Sequence, residues 1–393
     1  MQYEFLLSFD SFLHVLHVIA LSLVLLMERA ITAWKQTYEK QPSWLNSFTQ
    51  KLHRSYVVYG SMILLPSTAY DELDRKRINT LDVQLDLEQL YELIAQHLKI
   101  THVASTRPIP LHDDDQTAEN VLRAPKNFTP LYGDFGSSTC HDPPAQEDYD
   151  AAYWVTAKQN GIFQTWAPRW TMFSRGNISE KARLLTLPSV LSAVEDGEAD
   201  GKECVAVDLY AGIGYFTFSY LKAGVSKVLC WDINPWSIEG LMRGAKANKW
   251  FTRRITNDAS FTAALESDAR LLVFNEDNTM ARRRIDEARQ SLPPIRHVNC
   301  GLLPTSQGSW DTAVNVLDQA MGGWIHVHEN FATSEIEQKA EEVRQELQRL
   351  AEGRVGLGSS QPVKVEHINR LKSYAPGVMH CVVDIYIPPL IPT

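Results

Sequence analysis

The segment Asp208-Leu-Tyr-Ala-Gly-Ile-Gly-Tyr-Phe216 constrains this chain more than any other. Cys204–Leu209 is an apolar run that reads as a buried strand, and Phe216–Lys222 reads as a helix. A strand therefore runs straight into a glycine turn that opens a helix. Gly212 and Gly214 let the backbone approach a ligand with no side chain in the way. The third glycine position of a dinucleotide fingerprint holds Thr217, and Asp208 would point a carboxylate toward the loop, which is unfavourable beside a pyrophosphate. An anionic loop suits a cationic nucleoside such as S-adenosylmethionine (SAM), whose sulfonium and amino groups are positive.

Asp232 follows 24 residues after Asp208, in Trp231-Asp-Ile-Asn-Pro235 at the end of the next strand, Lys227–Trp231. An acid at that place accepts both ribose hydroxyls of a nucleoside. A helix N-cap at Asp232 or Asn234 is the structural alternative. Asn257-Asp258 falls at the expected end of a third strand, where a side chain would meet the adenine edge; a surface turn also explains it.

From about residue 170 strands alternate with helices: after the two strands above come Leu271–Phe274, His297–Leu302 and Trp324–His328, with helices at Pro235–Asn248 and Glu335–Leu350. That alternation implies a parallel sheet with crossover helices, an α/β Rossmann-like domain. The end reads as a hairpin, Val363–His367 and Val378–Ile387. Upstream, Tyr56–Leu65 reads as a strand pair broken at Gly60, Leu85–Leu98 as an amphipathic helix, and Trp154–Thr156 with Ile162–Trp166 as strands about the turn Gln159-Asn160-Gly161. The expected organisation is an extension at 1–50, a smaller α+β domain at 51–165 and the Rossmann-like domain at 166–393.

The formal charge of −9 is mostly local, since 112–150 holds nine acids against Arg123 and Lys126. A uniformly basic nucleic-acid coat is excluded, while local basic patches are not. That acidic stretch is rich in Pro, Gly, Asp and Asn, so loops should dominate it. Five cysteines lie at least 26 residues apart with no CxxC pair, which argues against a zinc ribbon or a disulfide framework and for a reducing compartment, the cytoplasm. Phe12–Met27 is nearly all apolar but short for a membrane span, and the residues before it carry Glu4 and Asp10 with no Lys or Arg. A helix packed on the body is expected there, with a membrane anchor as the alternative.

DLYAGIGYF followed by WDINPWS resembles the SAM site of class I SAM-dependent methyltransferase folds. More narrowly, Leu131–Phe135 (LYGDF), Trp166–Arg183 (WAPRWTMFSRGNISEKAR), Gly301–Ser306 (GLLPTS), Ile325–Asn330 (IHVHEN) and Lys372–His380 (KSYAPGVMH) resemble the tRNA wybutosine-synthesis aminocarboxypropyltransferases, relatives of the tRNA guanosine-37 N1-methyltransferases. The resemblance covers roughly residues 55–390 and implies transfer of the 3-amino-3-carboxypropyl group of SAM to the 4-demethylwyosine base at position 37 of phenylalanine tRNA, with methylthioadenosine as co-product. It also implies that the N-terminal domain helps to position tRNA. Which carbon of the sulfonium reacts depends on which one is held in line with the nucleophile, so regiochemistry is a matter of where the amino-acid tail docks.

Ser174 and Lys181 match the family's SAM-contact positions. Lys181 could hold the SAM carboxylate, with Arg183 as a bidentate alternative; where relatives often carry Arg-Glu-Arg, this chain reads Lys181-Ala-Arg183. A solvated helix face is the bland explanation. The loop running from Asn299 through Pro304 to Ser306 follows the fourth strand and faces the reacting carbon, and GLLP departs there from the methylating pattern. Asn299, Pro304 and Tyr215 are the substrate-positioning candidates, and Cys300 reads as packing. His326 and His328 alternate on one strand face, but no third metal ligand is apparent, and His380 reads likewise as a hydrogen-bonded strand residue, so no metal is expected. The basic stretches 243–254 and 282–284 could track phosphates, and Tyr215 or Trp310 could stack on a splayed base. Two alternatives remain at this level: guanosine-37 N1-methylation in the same fold, and a non-catalytic SAM-fold scaffold. Oligomeric state is not legible in the residues.

Overall fold

The computed structural model describes residues 9–39, 41–71, 73, 81–107, 120–353 and 361–390, with side chains from residue 22 onward except at 54, 81, 82 and 85. It divides into two compact units: Met1–His141 with Ala145–Val155 and Ala167–Met172, and Asp142–Pro144 with Thr156–Trp166 and Phe173–Thr393. The part of the acidic stretch at 113–119 lies outside the described residues.

The first unit begins with α1 (Phe9–Lys35) and α2 (Leu45–Ser55). A four-stranded sheet follows in the order β1 (Val57–Tyr59), β2 (Met62–Pro66), β3 (His102–Thr106) and β4 (Phe128–Tyr132), with α3 (Leu81–Leu98) between β2 and β3 and α4 (Gln146–Ala151) after β4. The β1–β2 turn falls at Gly60, where φ is +50°. β2 and β3 run parallel, as a helical crossover demands. β4 lies within the stretch expected to be loop: FTPLY contains Pro130, which a strand tolerates at a sheet edge, and β4 is the edge. The core joins Met27, Ile31 and Trp34 of α1 to Phe48, Leu52, Ile63, Leu90 and Ile94. Trp34 is fully buried and its Nε1 donates to the Asp86 carbonyl at 2.7 Å. The apolar N-terminal segment thus continues into a helix that packs on its own unit, and among the described residues no helix is long and apolar enough to cross a membrane.

The second unit opens with the hairpin β5 (Val155–Gln159) and β6 (Ile162–Trp166), whose turn residues Asn160 and Gly161 take φ of +52° and +73° as an Asn-Gly turn requires. Then come α5 (Ile178–Leu184), α6 (Pro188–Asp200), β7 (Val205–Asp208), α7 (Thr217–Ala223), β8 (Lys227–Trp231), α8 (Pro235–Ala247), β9 (Thr252–Ile255), α9 (Asp258–Leu265), β10 (Leu271–Phe274), α10 (Ala281–Ala288), β11 (Ile295–Cys300), α11 (Trp310–Val316), β12 (Gly323–Ala332), α12 (Ile336–Glu352), β13 (Lys364–Ala375) and β14 (Val378–Ile387). The eight strands β7 to β14 form one sheet in the order β13-β14-β12-β11-β7-β8-β10-β9. It is parallel from β9 to β12 and closes with the antiparallel β14 and β13.

Apolar residues cover both faces, as a parallel sheet needs: Val205, Val207, Leu229 and Leu272 on one, Ala206, Val228, Leu271 and Val273 on the other. Strand order reverses between β7 and β11, and open α/β sheets bind ligands beyond the carboxyl ends of strands at such a point. One expectation changes. The strand ahead of Asn257-Asp258 is β9 at the outer edge, and β10 lies between it and β8. Trp34→Ala should cost the first unit about 3–5 kcal/mol by urea unfolding, since it empties the middle of that core.

Candidate active site

Asp208 ends β7 and is fully buried. Its Oδ2 accepts from the Thr217 hydroxyl at 2.7 Å and the Thr217 N–H at 3.2 Å, while Oδ1 accepts from Asn299 Nδ2 at 3.0 Å and the Tyr210 N–H at 3.4 Å. Desolvation pushes its pKa up against those donors. The expectation that this carboxylate faces the ligand is corrected here. Its lone pairs are taken by the loop's own donors, and it clamps the end of β7, the start of α7 and β11 together.

The glycines divide their roles. Gly212, at φ +54°, donates its N–H to Asp232 Oδ2 at 2.8 Å. Gly214, at φ +88°, is buried, and a Cβ there would stand 2.6 Å from the Phe218 ring. Its need for glycine comes from packing rather than from ligand approach. Asp232 accepts from the Asn234 N–H at 2.8 Å through Oδ1, and Asn234 in turn caps α8 by accepting from the Trp236 N–H at 2.9 Å. The cap therefore falls to Asn234. Asp232 is left with one engaged lone pair on each oxygen, the arrangement that leaves both free to take a pair of vicinal hydroxyls. Its pKa is pushed up to about 6, chiefly by desolvation, with the Asp208 charge adding to it.

Beside Asp232 lies the loop after β10, because β10 is the neighbour of β8. Asn275 Nδ2 donates to the Asp232 carbonyl at 3.0 Å, Asp277 caps a short turn, and Asn278 Nδ2 donates to the Leu209 carbonyl at 2.8 Å. Asn257 and Asp258, expected at the adenine edge, sit one strand farther out: Asn257 caps α9 through Ser260, and Asp258 is ion-paired with Arg284. The signal that could have found the β10 loop is Phe274-Asn-Glu-Asp277, polar residues immediately after an apolar strand.

Ser174 joins the glycine loop through its N–H, which donates to the Tyr215 hydroxyl at 3.1 Å. Lys181, on α5, is 3% exposed, a burial that matters because its acceptors are two neutral amide oxygens, Gln159 Oε1 at 2.5 Å and Gln164 Oε1 at 2.8 Å. Its ammonium also lies 5.1 Å from the Phe173 ring centroid and 5.6 Å from that of Tyr215. Burial pushes its pKa down to about 8. β5 and β6 supply both glutamines, which assigns the hairpin a part in the site that sequence reasoning missed.

Arg183 does not share this setting, which corrects its expected role at the SAM carboxylate. Its guanidinium binds Glu180 at 2.6 and 2.9 Å and Asp384 at 2.6 and 3.0 Å, and these two carboxylates hold its pKa above the ordinary range. Asp384 also accepts from His326 Nδ1 at 2.7 Å; His326 Nε2 meets His297 Nδ1 at 3.0 Å, and His297 Nε2 meets the Ser189 carbonyl at 3.1 Å. A carbonyl only accepts, so His297 donates through Nε2 and, being neutral, accepts at Nδ1. The cluster ties α5 to β12 and β14.

The loop 301–306 is held by Glu329 of β12, whose Oε1 accepts from the Thr305 hydroxyl at 2.8 Å and the Ser306 N–H at 2.7 Å. Pro304 is exposed on it, and its carbonyl accepts from the Asn330 N–H at 3.0 Å. Asn299 Oδ1 is buried with no partner. Burial pushes the Cys300 thiol up to about 12, so it is packing. Trp310 is buried and donates to Ser306 Oγ at 3.1 Å, which removes it as a stacking platform; Tyr215 is half-buried. The stretch 282–284 is matched by acids, Arg282 with Asp311 and Arg284 with Glu276, whereas Lys246, Lys249, Arg253 and Arg254 are exposed. Among the described residues no group of three or more His, Cys, Asp and Glu could hold a metal.

The parallel sheet, its switch point and the acid at the end of the second strand define a class I SAM-dependent methyltransferase fold. The crystal structure of P. horikoshii TYW2 in complex with MeSAdo shares it, with a TM-score of 0.57 at 18% identity over 92% of this chain and 99% of that one. The aTrm5–tRNALeu complex does so with a TM-score of 0.52 at 19% identity, over 89% and 79%. No family model matches the chain. Among individual proteins, tRNA wybutosine-synthesizing protein 2 of Schizosaccharomyces pombe is 37% identical over 332 residues, 84% of this chain and 72% of that protein. Its Saccharomyces cerevisiae counterpart is 36% identical over 310 residues, 73% of this chain and 60% of its own length. The chain belongs to the tRNA wybutosine-synthesizing protein 2 family.

Asp208→Ala should destabilise the second unit by on the order of 3 kcal/mol, because it strands the buried Thr217 and Asn299 donors. Asp208→Asn should recover part of that loss in the same chemical-denaturation measurement.

Proposed function

We propose that this chain transfers the 3-amino-3-carboxypropyl group of SAM to the 4-demethylwyosine base at position 37 of phenylalanine tRNA, releasing methylthioadenosine. The observation that carries the reading is a half-satisfied carboxylate, Asp232, at the nucleoside end of the switch point, together with a buried ammonium, Lys181, whose acceptors are neutral. SAM complements both. Its ribose diol supplies donors to Asp232, and its tail supplies the carboxylate that a desolvated lysine lacks. Fixing the tail at Lys181 orients the sulfonium, and the carbon presented to the base follows from that orientation.

Ser174 and Tyr215 close the tail's side of the site, the loop after β10 meets the adenine edge, and Asn299 and Pro304 position the base. The first unit helps to position the tRNA. Lys246, Lys249 and Arg253, with Phe251 beneath the Arg253 guanidinium at 4.7 Å, form the phosphate-tracking patch. Cytoplasmic tRNA is the substrate pool this reading implies.

The deciding experiment incubates the chain with phenylalanine tRNA bearing 4-demethylwyosine and SAM labelled in the carboxyl carbon or in the methyl. Carboxyl label in the tRNA without methyl label is expected; methyl label alone would mean N1-type methylation instead. Lys181→Met should weaken SAM binding about 10- to 100-fold while binding of methylthioadenosine, which lacks the tail, changes less than about threefold. SAM affinity should be level at pH 7 and fall about tenfold per unit below pH 6, because Asp232 must lose its raised proton to accept the ribose donors. Asp232→Asn should bind weakly and flatten that profile in the same calorimetric titration.

A further inference from the structure

Phosphate contacts fix the register of a nucleic acid while base contacts read it, so a site that meets one base needs a cation near that base's own backbone. This inference rests on the reading above, in which the partner is tRNA and the base meets the loop 301–306. The basic patch at 246–253 lies by β9, at the opposite edge of the sheet from β13. β13 brings another cation to the end of the sheet where the base sits.

Pro304 of that loop accepts from the Asn330 N–H at 3.0 Å. Asn330 on β12 pairs with His380 on β14, and His380 pairs with Lys372 on β13. Lys372 thus lies two strands across from the residue that holds the loop, roughly 10 Å away, which is the reach of one nucleotide. Its ammonium folds over Gly176, where a Cβ would collide with Nζ, so the missing side chain makes the seat. Gly176 follows Ser174 and Arg175, in the segment that joins the glycine loop through the Tyr215 hydroxyl. Lys372 is half-buried, and its acceptor is a neutral amide oxygen, Asn177 Oδ1, at 3.4 Å. Glu180 on α5 is taken by Arg183 and Asn369. Burial pushes the Lys372 pKa down. A half-buried ammonium with no acid loses hydration without compensation from the chain, and an apolar side chain would pack over Gly176 at less cost.

Two further residues complete the setting. Arg175, next to Gly176, is exposed and pairs with no acid among the described residues. Tyr374 is the residue of β13 left unpaired where the register shifts between Ser373 and Ala375, and its ring is 46% exposed. Cations for the backbone beside an open aromatic face are the means by which single-stranded RNA is held. We propose that Lys372 and Arg175 seat a phosphodiester flanking position 37 of the tRNA, and that the Tyr374 ring stacks on the adjoining base. The phosphate supplies the oxyanion that the lysine lacks. Held there, the backbone leaves base 37 turned toward the loop 301–306 and the reacting carbon.

The test measures binding of phenylalanine tRNA bearing 4-demethylwyosine to the full chain, Lys372→Met, Gly176→Ala and Tyr374→Ala across about 50 to 300 mM salt. SAM affinity and thermal unfolding are measured alongside. K372M should bind roughly tenfold more weakly and lower the slope of log affinity against log salt by about 0.7 to 0.9, the loss of one phosphate contact. G176A pushes the ammonium off its seat but keeps its charge in the chain, and it should weaken binding with unfolding unchanged. Y374A should lose about 5- to 150-fold with the slope unchanged. SAM affinity should stay within about twofold throughout. A neutral methylphosphonate on one side of position 37 should cost the wild type about tenfold and K372M nothing further, since both remove the same contact. If K372M proves unfolded, G176A carries the same comparison. A tRNA affinity within about twofold of wild type in K372M, or a methylphosphonate loss that adds in full to the variant's, would overturn the assignment. So would a K372M that loses SAM but keeps tRNA, because the anion seated there would be the SAM carboxylate. A wild-type chain that transfers no carboxyl label would overturn the functional reading itself, a separate result.

Discussion

A single buried carboxylate organises the second unit. Asp208 holds no cation, and its charge is met by four donors from three places: Tyr210 in the glycine loop, Thr217 at the start of α7 and Asn299 on β11. An unpaired buried charge is costly, so those donors must be delivered together, and delivering them fixes the path of the loop between Asp208 and Thr217. Gly212 is then held where its N–H reaches Asp232, and Asp232 is held where its remaining lone pairs point away from the protein's own donors. The path of the glycine loop and the placing of Asp232 are thus consequences of how one carboxylate is satisfied.

The surroundings of Lys181 follow different physics. Arg183 and Lys181 are two residues apart on α5, and sequence alone made them interchangeable candidates for an anion. Their surroundings separate them. A guanidinium with carboxylates at 2.6 Å on two sides has little left to offer a ligand, and breaking that pairing would leave Glu180 and Asp384 as buried, uncompensated charges. A lysine whose acceptors are amide oxygens has no carboxylate to compensate its charge. The ion cluster therefore acts on the site indirectly, fixing α5 against β12 and β14 so that Lys181 stays put.

Much of this was legible in the residues. The glycine turn between β7 and α7, Asp232 at the end of β8, the Asn-Gly hairpin and the C-terminal antiparallel pair follow from local pattern, because each depends on residues within about ten positions of one another. The misses share a cause: they depend on long-range order. Nothing in the run from Thr252 to Phe274 states that the later strand inserts between β8 and the earlier one, so Asn257-Asp258 looked like the adenine edge. Asp208 read as a ligand because its partner Asn299 is 91 residues away. Trp310 read as a stacking platform until Ser306 and the Glu329-held loop buried it.

The sheet's two faces carry the remaining logic. One is almost wholly apolar beneath α9 to α12. The other bears a polar row, Asp208, Asn299, His297, His326, His328 and His380, running from β7 across β11 and β12 to β14, all buried. Burying so many polar groups under α5 and α7 gives up hydrophobic stabilisation, and a fold whose only task was to be stable would fill those positions with Val and Ile. Each member nearest the amino ends of the strands is fully paired, as in the His297–His326–Asp384 chain. The row's unpartnered atoms, Asn299 Oδ1, His328 Nε2 and His380 Nδ1, lie at or beside the carboxyl ends of β11 and β12.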